Sequence, residues 1–236
     1  MSLDYTIRIS QRARRLQIRI GPVGDIVVVV PQGMNVSRIE PFVTENLDWI
    51  RKTRSRLPPA QQDVRSGKPG LPETISLNAC DSSWQVSYQL GTGQRSSLAE
   101  NESSLRVRAA DRQLAGQTLQ RWLTRKARCY LQPWLRQLSG ETGLDFLRLS
   151  IRSQKTRWGS CSSTGTISLN RALMFLEEDV VRYLMLHELC HTRYMNHSRR
   201  YWSLVQSFEP AYKDYEKRLR LAAFKIPGWA QADTTG

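Results

Sequence analysis

The chain holds only three histidines in 236 residues, and all of them, His187, His191 and His197, fall within one short segment. Two bracket a glutamate in His187-Glu188-Leu189-Cys190-His191. This lies inside a stretch, Asp179 to about Tyr194, whose residues Val180, Val181, Leu184, Met185, Leu186 and Leu189 are apolar all round. A helix with no polar face is a buried helix. The fold must therefore bury two imidazoles and a carboxylate, groups that are costly to desolvate without partners. Residues four apart share a helix face, with Cβ atoms about 5–6 Å apart, so both rings can reach one zinc ion at about 2.0–2.1 Å. Glu188, one position on, points about 100° away. That puts it beside such an ion and not under it, where a general base can deprotonate a zinc-activated water. The pattern is the H-E-x-x-H signature.

A third ligand is needed. If the helix ran on to His197, that ring would sit about 240° around from His191 and about 9 Å further along, out of reach. For His197 to ligate, the helix must end around Tyr194 to Asn196, and Asn196 suits the left-handed residue at such a stop. Glu209 is the alternative third ligand. His197 is favoured, because imidazole suits zinc and His197 has no other evident purpose. The spacing equals that of the metzincins, but Tyr194 stands where their motif has Gly, and Met195 is the last methionine. Three histidines and a water complete a catalytic zinc site, which leaves Cys161 outside the ligand set. Cys190, about 60° round the helix from His187, reads as a core residue. Tyr194 and Tyr201 flank the third ligand and read as packing residues.

The rest of the chain predicts an α+β fold. Period-two alternation marks strands at 5–9 and 16–20, and Ile26 to Val30 reads as a buried strand forming a hairpin with 16–20. A helix is expected over about 35–56 and a surface loop at 58–72, rich in Pro, Gly, Gln and Ser. Strands follow at 84–88 and 105–108 around a polar loop. From Asp111 the apolar spacing is helical up to Gly140, with Pro133 expected to kink or divide the helix. Strands at 146–152 and 166–169 read as a hairpin, and Ser198 reads as the cap of a last helix. The expected organisation is a β-rich N-terminal region over 1–110, a catalytic domain over 111–225 and a flexible tail over 226–236.

No apolar run approaches the roughly 20 residues of a membrane helix, and the N-terminal segment lacks a secretory apolar core. The four cysteines form no CxxC pair and read as reduced, mostly buried thiols. A soluble, cytoplasmic protein without a membrane partner is the expectation. The net charge of +14 admits a nucleic-acid partner, but short basic runs without a recognition motif support it only weakly.

The residues also resemble a known family. Thr156-Arg157-Trp158-Gly159-Ser160-Cys161-Ser162, Gly165 to Asn170, the His-Glu-Leu-Cys-His helix, Asn196-His197-Ser198 and Tyr201-Trp202 are similar to the YgjP-like metallopeptidases, relatives of the SprT-like zinc proteases. The similarity runs from about Arg12 to about Leu221. It implies a zincin-like domain with the active-site helix packed on a small sheet, zinc on His187, His191 and His197, and Glu188 as catalytic base. Peptides or proteins are the implied substrates. Arg182, Leu184, Leu176 and Tyr201 depart from the family pattern without touching the ligands. In zincin-like folds an edge strand pairs with extended substrate. Trp158 and Gly159 either line that cleft or pack in a hairpin. The alternative to a zinc peptidase is a zinc-stabilised nucleic-acid module, or a SprT-like protease acting on DNA-bound proteins.

Overall fold

A computed structural model describes residues 3–21, 25–55, 70–91, 95–154, 157–223 and 226–231. The chain divides into two units, one of residues 1–69 with 223–228, the other of 70–222 with 229–236.

In the first unit β1 (Thr6–Ser10), β2 (Gln17–Ile20) and β3 (Ile26–Pro31) form a sheet in the order β1-β3-β2. The β2–β3 hairpin is antiparallel and β1 joins β3 in parallel. The expected single helix is two, α1 (Ile39–Glu45) and α2 (Leu47–Arg54), after a 3₁₀ turn at Val36–Arg38. The break is local chemistry. The Asn46 side chain donates to the Phe42 carbonyl, and the Asn46 amide turns to Val43 instead, so the helical ladder loses its next bond. Ile26, Val28 and Val30 pack with Ile39, Val43 and Ile50. The loop expected at 58–72 lies outside the described residues as far as 69.

The second unit begins near residue 70, not at 111. Strands β4 (Thr74–Leu77), β5 (Ser82–Leu90), β6 (Ser97–Glu100) and β7 (Ser104–Ala109) form a sheet in the order β4-β5-β7-β6. Their apolar face belongs with the helix that follows, α3 (Arg112–Thr142), which packs on β7. Trp84 meets Trp122 edge-on at 5.2 Å, and the Trp122 indole donates to Glu100. Strand β6 occupies what the polar sequence marks as loop. Pro133 does not divide α3, because Leu131, Leu135 and Leu138 are buried on both sides of it. That burial outweighs the roughly 3 kcal/mol an interior proline costs. The helix stops at Gly143, which takes the left-handed conformation (φ 65°).

A second sheet runs in the order β8-β10-β9, from β8 (Arg148–Arg152), β9 (Gly159–Cys161) and β10 (Thr166–Asn170). The expected β8–β10 hairpin is instead a parallel pair, and the hairpin is β9–β10. Gly165 (φ 76°) and the Ser162 hydroxyl, which accepts from the Thr166 amide, make its turn. Three helices follow: α4 (Glu178–Cys190), α5 (Arg199–Phe208) and α6 (Tyr212–Ala222). Helix α4 packs on β9, α5 and α6. Where a flexible tail was expected from 226, Trp229 and Ala230 are buried. The Trp229 ring meets Phe175 at 5.9 Å, and Gln120 donates to the carbonyls of Trp229 and Gln231. No helix among the described residues is long and apolar enough to cross a membrane.

Candidate metal centre

Helix α4 is clamped at its start. Arg218 of α6 donates to Asp179 (2.8 Å) and to Glu177 (3.3 Å), and the bond to Asp179 holds that carboxyl below its ordinary range. Its far end comes earlier than expected. The helix closes at Cys190 with His191 as cap residue, and a turn follows. Asn196 is not left-handed: Asp81 is the only described non-glycine with positive φ. The stop is made by His191 itself, whose Nδ1 lies 3.0 Å from the Tyr194 carbonyl. A carbonyl only accepts, so Nδ1 carries the proton and the Nε2 lone pair is left for a ligand. Ser198 then caps α5 by accepting from the Tyr201 amide.

This turn folds His197 back over α4. Its Nε2 lies 3.3 Å from Nε2 of His187, and ligand atoms of all three histidines fall within 4.8 Å of one another. Two nitrogens at about 2.0–2.1 Å on a tetrahedral ion stand about 3.3 Å apart, so the pair fits a shared metal. Aromatic rings fix the imidazoles. Tyr201, expected to stay clear of the ligands, touches them: it is fully buried, stacks on His191 at 4.4 Å and donates its hydroxyl to the His187 carbonyl, while Trp202 stacks on His197 at 5.4 Å. Burial pushes His187 down to about 3 and lowers His191 as well. Both rings are therefore neutral at neutral pH, the state a metal ligand needs.

Glu188 is 4% exposed, and its Oε2 has no hydrogen-bond partner. Burial drives its carboxyl up to about 8 against the pull of Arg157; a dication at the histidines would draw it down again. Gly159 at the start of β9 lies against this carboxylate, and a Cβ there would collide with it. Trp158 is half-buried, its indole N–H donating to the Leu219 carbonyl of α6 at 3.1 Å.

Glu209 stands apart from the histidines and pairs with Arg182 at 3.6 Å. All four cysteines are free, but only Cys190 is buried, with its thiol pushed up to about 12. Cys161 is half-buried; burial first and Glu188 second push it up to about 11. Two contributors carry no sequence signal as ligands. Tyr194 acts through its carbonyl, and no side-chain pattern reports that. Buried Asn170 donates to the carbonyls of Gln154 and Arg157 and accepts from the Ala172 amide, which pins the connection leading into β9.

A buried helix with two histidines and a carboxylate whose Oε2 has no partner, and a third histidine folded back over it, has the donor set of a metal-dependent hydrolase site, and comparison with known proteins narrows the class. The description YgjP-like, metallopeptidase domain, matches residues 14–222. The chain belongs to the YgjP-like metallopeptidase family and is a metal-dependent peptidase. Two solved structures are similar over part of it. The metallopeptidase zymogen of Pyrococcus abyssi abylysin is 29% identical, over 37% of this chain and 90% of that one, with a TM-score of 0.35. The zymogen of Methanocaldococcus jannaschii jannalysin is 19% identical, over 38% and 92%, with a TM-score of 0.34. No curated protein matches the sequence.

Proposed function

We propose that the metal is zinc, held by His187, His191 and His197, and that Glu188 is the general base of peptide hydrolysis. The convergence of three histidines carries this reading: Nε2 of His187 and Nε2 of His197 lie 3.3 Å apart, and ligand atoms of all three rings fall within 4.8 Å of one another. Bound there, zinc would polarise the scissile carbonyl and activate a water. Glu188 accepts a proton from the attacking water and returns it to the leaving amine, which regenerates the carboxylate. Its burial keeps bulk water from competing for that carboxylate. Strand β9, at the outer edge of its sheet beside Glu188, is the proposed rim for extended peptide, with Gly159 and Trp158 at its start. Four free cysteines support a cytoplasmic site of action.

The test is metal analysis of the purified protein with a peptide-library cleavage assay. One zinc per chain, cleavage lost to a chelator and restored by zinc, is expected. Cleavage that survives complete metal removal would sink the proposal.

A further inference from the structure

His187 is unlike His191 in one respect. The Nδ1 of His191 is fixed by a carbonyl, whereas the Nδ1 of His187 is buried without a hydrogen-bond partner. A metal-binding imidazole needs a partner on its other nitrogen to set the tautomer and hold the ring plane. The group facing this nitrogen is a carboxylate. Oε1 of Glu216, on α6, lies 3.9 Å from Nδ1 of His187. The same oxygen accepts the Tyr183 hydroxyl at 2.9 Å. Tyr183 is fully buried one turn before His187 on α4, and it stacks on Tyr215 of α6 at 5.3 Å. The carboxylate is thus held between two side chains of one α4 face, about an ångström beyond bonding distance from the imidazole.

We infer that Glu216 is the positioning residue of the metal centre, accepting a hydrogen bond from Nδ1–H of His187 when the ring turns its Nε2 to the ion. The inference rests on the proposed ligand set. Closing the last ångström needs only a small rotation of a half-buried side chain. The tyrosine limits that rotation, so Tyr183, Glu216 and His187 form a chain in which each hydrogen bond orients the next. The negative charge at Nδ1 raises the basicity of Nε2 and strengthens its bond to a cation. Helix α6, which supplies no ligand, contributes to the centre by this route.

The test uses zinc affinity, measured by competition with a chromogenic chelator, and the ¹⁵N imidazole resonances of the zinc-loaded full chain. Glu216→Gln keeps an oxygen that can accept from Tyr183 and so preserves the packing. It should still weaken zinc about 10-fold or more and shift the Nδ1 resonance of His187 while leaving that of His191 in place. Glu216→Asp, a charged but shorter group, should recover part of the affinity. Wild-type affinity and an unmoved His187 resonance in Glu216→Gln would overturn the inference. A purely structural role predicts equal losses for Gln and Asp, and that outcome would also overturn it. Failure of the ligand set itself would show separately, as zinc affinity unchanged in His197→Ala.

Discussion

Helices α3 and α4 both bury polar groups, yet they treat them in opposite ways. In α3 the buried Thr118 and Ser139 hydroxyls each donate to a carbonyl, of Leu114 and Leu144, and the rest of the buried face is hydrocarbon or tryptophan. In α4 the Oε2 of Glu188 and the Nδ1 of His187 are buried without partners. An unpaired buried polar group costs about 1–3 kcal/mol. A helix that only held the fold together would satisfy such groups, as α3 does. The difference marks α4 as the element whose polar atoms are kept for the proposed metal centre, Nδ1 of His187 for Glu216 and Oε2 of Glu188 for a proton from water.

The comparison breaks most readily at Glu188. Glu188→Gln should lower peptide hydrolysis by about 10²–10⁴-fold, with one zinc still bound and an unchanged melting temperature. Wild-type cleavage by this variant would mean that the carboxylate is not the base. Next in size, His197→Ala should weaken zinc by more than the about 100-fold that loss of an outer partner can cost. Glu209→Ala should leave zinc stoichiometry intact and lose only the Arg182 pair, and the reverse result in a zinc titration would exchange their roles. On the α3 side, Leu135→Ala should cost about 2–5 kcal/mol in denaturant unfolding. It should leave zinc stoichiometry untouched, since that helix carries none of the proposed ligands.

The smallest effect concerns the start of α4. The hydrogen bond from Arg218 lowers the Asp179 carboxyl in the folded chain. The stabilisation is therefore present above the unfolded carboxyl value and is lost as pH falls through the lowered one. The pair is about half exposed, so Arg218→Ala should remove no more than about 1 kcal/mol near neutrality. Urea melts of the two proteins should converge as the pH is taken into the acid range. A difference that persists below the lowered value would assign the effect to packing.

The clustering of the histidines was the most legible part of the sequence. His187 and His191 declare themselves through helical spacing, and His197 through scarcity. The route by which His197 returns was not legible, because a ring nitrogen of His191 and a backbone carbonyl make the turn. Alternation at Arg148–Arg152 marks a strand but carries nothing about its partner, so the parallel pairing with β10 could not be read from it. Strand β6 is short and polar, and β7 supplies its pairing. Grouping residues 70–110 with the N-terminal strands followed similarity of pattern; the fold follows the apolar face that α3 covers. Trp229 looks like a tail residue until Phe175 and Gln120 give it a place.

Gly159 presents no functional group, and its importance is one of excluded volume. The Glu188 carboxylate occupies the space where any other residue would begin its side chain. In a library of every single substitution, selected for cleavage, position 159 should therefore stand as an empty column. Ser160 and Cys161 beside it, whose side chains already fit, should accept small replacements. Such a column would look like the signature of a reacting residue, and it would be written by a hydrogen atom.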